Sequence, residues 1–182
     1  MTAARRLLVG PANFAGQAWA WARVAESLPD VAARAFTVRR GGFGFRSDVE
    51  VDLDRTLDPR WARAQRAWVT GGAFTHVLAE AGRPLWGELD GPDVRAELPV
   101  LRGAGVGVAL VAHGSDVRLP SAHAARHPAS PFRDVPPDRR DYVARLERTA
   151  RRTLETFAGA DGPTFVSTPD LVDLVPGSTW LP

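Results

Sequence analysis

Two hydrophobic patterns alternate along the chain. Short continuous apolar runs, such as residues 106–112, are typical of strands that are covered on both faces of a parallel sheet. Longer segments place apolar residues at helical spacing, as Trp21, Ala22 and Ala25 do within residues 17–28. Strands alternating with helices through short turns predict an α/β fold, a single Rossmann-like doubly wound domain with a mostly parallel central sheet.

The patterns also set the expected element boundaries. Strands are predicted at residues 6–10, 32–38, 49–53, 75–79, 106–112, 164–167 and 178–181. Helices are predicted at residues 17–28, 60–69, 93–102 and 138–158, with residues 39–44 as a loop. The last helix has a predicted buried stripe of Val143, Leu146, Ala150, Leu154 and Phe157. Residues 121–137, rich in Pro, His and Arg, predict a long irregular loop or lid.

Composition narrows the classes of function. All 23 basic residues are Arg, they face 21 acidic residues, and the net charge is +2. Because the Arg residues are interspersed with acids, we expect no nucleic-acid partner. The absence of Cys and Lys excludes disulfides, thiolate nucleophiles and Schiff-base lysines. No apolar stretch reaches the length of a membrane span and no signal peptide is evident, which predicts a cytoplasmic protein.

The main candidate site follows the apolar run that ends at residue 112. In open parallel sheets, ligands bind beyond the carboxyl ends of the strands. His113, Ser115, Asp116 and Arg118 fall at such an end, and together they exceed what a turn needs. Asp116 could orient or charge-tune His113, or it could pair with Arg118.

A second candidate is the loop after the first strand. Gly10 and Gly16 flank it, and a helix follows, an arrangement that often binds phosphate or carboxylate groups. The glycine spacing matches neither the dinucleotide fingerprint nor the P-loop. Glycines that only shape the turn are therefore an equal alternative.

Three weaker clusters complete the set. Ser167 or Thr168 is expected to cap a helix that begins at Pro169, with Asp170 complementing its dipole. A third strand end carries His76, Glu80 and Arg83, and the spacing of His123 and His127 does not suggest a metal site. The Arg-rich helix 138–158 predicts a solvated face, with an anionic membrane surface as the alternative partner.

Three segments in this order resemble the N-terminal domain of GT-B glycosyltransferases of the family-four type. They are GPANFAGQAWAWARVAESL at residues 10–28, HGSDVRLPSAH at 113–123 with SPF at 130–132, and FVSTPDLVDLVPGSTWLP at 165–182. The resemblance implies the N-terminal half of a GT-B fold over residues 1–182, with the sugar or glycoside acceptor on this side. It implies no metal or other cofactor, only a nucleotide-sugar as co-substrate.

The resemblance also implies roles for single residues. His113 would act in catalysis beside the transferred sugar, and Gly16 would lie near the donor diphosphate. The acceptor side of the cleft would be lined by Asn13, Gln17, Asp116, Arg118 and Thr168.

The family's second, donor-binding domain has no counterpart in these 182 residues. We therefore expect this chain to be the acceptor-side half of a nucleotide-sugar-dependent, retaining glycosyltransferase that is inactive or nearly so alone, with that C-terminal GT-B domain as its partner. The alternative from a different class is a non-catalytic Rossmann-type module that binds a small molecule or another protein.

Overall fold

The computed structural model describes residues 5–39, 41 and 44–182. Two compact units divide the chain, residues 1–110 and residues 111–182. Seven strands form one sheet in the order β3-β2-β1-β4-β5-β6-β7. The strands are β1 (Arg5–Gly10), β2 (Val31–Arg39), β3 (Val49–Asp52), β4 (His76–Glu80), β5 (Gly107–Ala112), β6 (Thr164–Val166) and β7 (Thr179–Trp180). The helices are α1 (Gln17–Ala25), α2 (Pro59–Trp68), α3 (Val94–Gly103), α4 (Pro120–Arg126) and α5 (Arg140–Ala158).

Parallel pairing confirms the predicted fold class. In the first unit β1 pairs in parallel with both β2 and β4, and β2 pairs in parallel with β3. In the second unit β6 and β7 are parallel. After β3 the chain returns to the other side of β1 to form β4, so the order of strands reverses between β1 and β4. Such a reversal creates a crevice at the carboxyl ends of the two strands.

Each unit has its own buried apolar residues. In the first unit Leu8, Phe36, Val77, Trp86 and Leu101 are at most 1% exposed. Consecutive residues are buried toward the carboxyl ends of β1 and β4, so both faces of the sheet are covered there. In the second unit the core includes Val111, Ala112, Phe157, Val166 and Leu171. Among the described residues, no helix combines the length and apolar character that a bilayer crossing requires.

Helix α1 ends at Ala25, three residues earlier than predicted. The amides of Ser27 and Leu28 donate to carbonyls three residues back, at 3.0 and 3.1 Å, so the last turn tightens. Pro29 disfavours helical geometry at the residue before it, and Asp30 adopts a left-handed φ of 60°.

The predicted loop at residues 121–137 is partly wrong, because α4 occupies its first part. Pro120 stands in the first turn of α4, where a missing N–H costs nothing, and alanines follow it. Helix α5 confirms the longest predicted helix, although its buried stripe differs. Ala150 and Phe157 are buried as expected, while Thr153 and Thr156 are buried in place of Val143, Leu146 and Leu154, which are half-buried. The Thr156 hydroxyl donates to the Arg152 carbonyl at 3.0 Å, which allows its burial.

Candidate functional site

The β1–α1 loop (residues 11–16) has an unusual backbone. Asn13, Ala15 and Gly16 adopt left-handed φ values of 48°, 52° and 80°. Gly16 is the N-cap of α1, and glycine adopts that conformation without strain. At Gly10 the reason for glycine is space, since an added Cβ would lie 2.5 Å from the carbonyl oxygen of Phe36. Both predicted glycines therefore shape this turn.

Glu80 holds the β1–α1 loop from β4. Its side chain is fully buried, and Oε2 accepts the backbone N–H groups of Ala12 and Asn13, both at 2.8 Å. The crevice between β1 and β4 thus contains a carboxylate of the protein itself, bound to the first amides of the loop. Sequence reasoning named Glu80 at a strand end without anticipating this contact.

Asn13 uses its side chain inside the fold. The residue is 2% exposed, its Nδ2 donates to the carbonyl of Arg46 at 3.0 Å, and its Oδ1 accepts the N–H of Trp19 at 3.2 Å. The Arg46 guanidinium lies 4.5 Å from the ring centroid of Trp19. Asn13 therefore fastens residues 44–46 to the start of α1.

Gly16 and Gln17 complete the loop. The N–H of Gly16 donates to the Asn13 carbonyl at 3.2 Å, and the N–H of Gln17 donates to the Phe14 carbonyl. Both residues are half-buried. The amides that have partners inside the protein therefore include those of Ala12, Asn13, Gly16 and Gln17.

A cavity of about 420 Å³ opens beside the β1–α1 loop. Its position at the carboxyl ends of β1 and β2 is where α/β sheets bind ligands, and its size is within the range of small-molecule sites. The predicted loop 39–44 borders it, although residues 40, 42 and 43 lie outside the described residues. The described lining consists of Ala12, Asn13, Phe14, Thr37, Val38, Arg39, Gly41, Gly44, Phe45 and Arg83.

Of the ten described lining residues, only Asn13 and Arg83 were candidates from the sequence. Phe14, Arg39 and Phe45 stand in or beside turns, where aromatic and Arg residues form no recognisable pattern. Arg83 was named, and its guanidinium lies 4.7 Å from the ring centroid of Phe14. His76 begins β4 and hydrogen-bonds the Thr75 hydroxyl at 2.9 Å, so it is at the opposite end of that strand from Glu80.

In the second unit, Asp116 organises the turn after β5. Its carboxylate oxygens accept the N–H of His113 at 3.0 and 3.1 Å, and Oδ1 accepts the N–H of Gly114 at 2.6 Å. Gly114 has a φ of 140°, which favours glycine. The carboxylate therefore fixes the backbone below His113, a role that differs from both alternatives open in the sequence.

Arg118 pairs with Asp170 rather than Asp116. Its Nη2 lies 2.5 Å from Asp170 Oδ2, and both side chains are exposed. The hydrogen bond from Arg118 lowers the pKa of Asp170. Thr168 stands at the N-cap position of a short 3-10 turn, Pro169–Leu171, but makes no capping side-chain hydrogen bond. The predicted cap is therefore wrong, because Pro169 starts a single turn rather than a helix.

His123 of α4 packs against the segment that follows the helix. His123 Nδ1 hydrogen-bonds the hydroxyl of Ser130 at 2.7 Å, and its ring meets that of Phe132 edge-on at 5.7 Å. Phe132 lines a groove of about 380 Å³ between α4 and α5. The described residues contain no cluster of three or more His, Asp or Glu side chains arranged to hold a metal.

Comparisons with known proteins do not assign this chain to a family. No protein-family model matches the sequence, and no curated protein matches it. A crystal structure of LpCGTa in complex with UDP aligns with 94% of this chain at 14% identity and a TM-score of 0.35. The chain spans 41% of the length of that protein. The fold assignment accordingly rests on the sheet described above.

Proposed function

We propose that this chain is the acceptor-side half of a retaining, nucleotide-sugar-dependent glycosyltransferase, and that the cavity beside the β1–α1 loop receives the sugar acceptor. The cavity is the observation that carries the proposal. It lies at the carboxyl ends of β1 and β2, next to the loop where the first of the three glycosyltransferase-like segments begins. Two aromatic rings, Phe14 and Phe45, supply the apolar surface on which the hydrocarbon face of a sugar packs.

The rigidity of the surrounding loop supports a binding role. Glu80 and Asn13 anchor the β1–α1 loop through at least four hydrogen bonds to β4, α1 and residue 46. A site whose walls are fixed before the ligand arrives loses less conformational entropy on binding. Asn13 contributes as a positioning residue, since its side-chain amide is engaged within the protein.

The second unit supplies the proposed catalytic group. Asp116 fixes the backbone of His113, just after β5, by accepting its N–H. In the complete enzyme we assign His113 to contact the transferring sugar, and Gly16 to lie near the donor diphosphate. Chemistry requires a second Rossmann-like domain that holds the donor and closes over the acceptor.

Calorimetric titration of the chain with glycosides and with nucleotide-sugars tests this proposal. We expect glycosides to bind and no appreciable sugar transfer to occur with the chain alone. Replacing Phe14 with Leu should weaken glycoside binding, while Trp180→Leu, at an exposed ring in the second unit, should not. Efficient transfer by the chain alone, or glycoside binding indifferent to Phe14→Leu, would overturn the assignment.

A further inference from the structure

The cavity beside the β1–α1 loop has guanidinium groups on two of its walls. Arg39 ends β2 and Arg83 follows β4, so two separate elements direct positive groups to one recess. Among the described lining residues none is acidic. The lining itself therefore carries positive charge, and the carboxylates that pair with Arg39 come from Glu50 and Asp52 on the neighbouring strand. Two guanidinium groups in one recess favour an anionic ligand over a cationic one.

Arg83 is held in place by an aromatic ring. Its Cζ lies 4.7 Å from the centroid of Phe14, within the range of a cation–π contact. Such a contact orients the guanidinium group, and the planar fork of arginine N–H donors matches the geometry of phosphate and carboxylate oxygens. Phe14 also lines the cavity, so its ring both contacts the Arg83 guanidinium and forms part of the cavity wall.

Arg39 makes ion pairs that lie at the surface. Its Nε and Nη2 bind Asp52 Oδ1 at 3.1 and 2.5 Å, and its Nη1 lies 3.8 Å from Glu50. The Asp52 side chain is 70% exposed and that of Arg39 is 47% exposed. Exposed pairs contribute little to stability, so a ligand that brings its own oxyanion can compete for the same guanidinium.

We propose that the ligand of this cavity is a sugar that carries an oxyanion, a phosphate or a carboxylate, bound by Arg83 with help from Arg39. The inference rests on the proposed function for the ring and adds the charged group. The apolar rings of Phe14 and Phe45 receive the hydrocarbon face, and the guanidinium groups receive the anion. An acceptor substrate of this class would be distinguished from a neutral sugar by charge.

Calorimetry at low salt with four probes tests the inference. The probes are glucose 6-phosphate, glucuronate, methyl glucoside and inorganic phosphate. We expect at least one of the two charged sugars to bind about tenfold or more tightly than methyl glucoside, as a charge-assisted contact predicts. The two charged sugars distinguish a phosphate from a carboxylate, and weaker binding of inorganic phosphate alone shows that the ring contributes.

Two variants and a matched control assign the effect to the cavity. Arg83→Gln should reduce the preference for the charged sugar about tenfold. Arg39→Gln should also reduce the preference for the charged sugar. Because the Arg39 side chain is exposed, this variant can replace Arg83→Gln if that variant fails to fold. Arg63→Gln removes the same charge from an exposed position on α2 outside the cavity and should change nothing.

The possible outcomes distinguish a failure of the anionic-ligand proposal from a failure of the proposed acceptor site. Equal affinity for charged and neutral sugars, with Phe14→Leu still weakening both, overturns the anionic class and leaves the acceptor site standing. A charge preference that survives both Arg variants also overturns the inference. Failure of every sugar to bind overturns both proposals.

Discussion

Replacing Glu80 tests the contact that fixes the β1–α1 loop. The fully buried carboxylate accepts the N–H groups of Ala12 and Asn13 at 2.8 Å. In Glu80→Ala both donors lose this partner, and Asn13 is too buried to find water. A buried donor left without a partner costs about 1–3 kcal/mol, so with the lost packing we expect a destabilisation of about 2–4 kcal/mol.

Glu80→Gln separates charge from hydrogen bonding. The amide oxygen of Gln can still accept both N–H groups, but the added strength of a charged acceptor disappears, and we expect a loss of about 1 kcal/mol. Glu88→Gln is the matched control, because Glu88 is exposed, and its effect should remain within about 0.5 kcal/mol.

Urea unfolding followed by circular dichroism measures these free energies, and hydrogen exchange reports on the loop directly. The amides of Ala12 and Asn13 should exchange faster in Glu80→Ala than in the parent protein, since their acceptor is gone. If the Ala variant costs no more than Glu88→Gln, or if both amides keep their protection, the carboxylate does not anchor this loop.

Three further predictions concern single contacts. Burial raises the pKa of Glu97 to about 8 despite the hydrogen bonds from the amides of Leu85 and Trp86. The Glu97 carboxyl group therefore holds its proton more tightly in the folded state than in the unfolded state. The free energy of unfolding should fall by up to about 1.4 kcal/mol per pH unit as pH rises from about 4.5 to about 8. Unfolding measured across that range should show a flatter profile for Glu97→Gln, and an identical profile would refute the assignment. Gly10→Ala should lower the free energy of unfolding by about 2 kcal/mol or more, because the new Cβ would collide with the Phe36 carbonyl. Gly44→Ala, where a Cβ has open space, should change the free energy of unfolding very little in the same assay. Asp116→Asn should lower the free energy of unfolding by about 1–2 kcal/mol, because it weakens the hydrogen bonds to the amides of residues 113 and 114. The control is Asp173→Asn, at an exposed side chain. Equal losses in the two variants would contradict the role given to Asp116.

Local signals in the sequence predicted most of the elements. Asp58 caps α2 by accepting the N–H of Arg60 at 2.8 Å, with Pro59 in the first turn, as the Asp-Pro pair indicates. The strand β1 and the helix α5 follow equally from apolar periodicity. Elements of this kind are predictable because their causes lie within a few residues of one another.

The contacts that anchor the β1–α1 loop could not be predicted from local sequence patterns. Glu80 and Asn13 are 67 positions apart, and no local pattern relates a buried Glu to amides at that distance. Asp116 is different, because its partners lie two and three residues away. The tendency of Asp side chains to bind nearby backbone N–H groups could have suggested that contact.

The cavity also depends on tertiary structure. Phe14 follows β1, Arg39 and Phe45 lie at and just after the end of β2, and Arg83 follows β4. The pairing of β1 with both β2 and β4 brings these segments together. The sequence named the strand ends where ligands bind in this class of fold, while the side chains that line the recess emerged from the structure.

Amide chemical-shift mapping tests the acceptor site most directly. When glucose 6-phosphate is added to the ¹⁵N-labelled chain, the largest shifts should fall in residues 12–16, 37–39 and 44–46 and at Arg83, around the cavity. Shifts confined to the groove between α4 and α5, or no shifts at all, would contradict the claim that this end of the sheet binds a sugar.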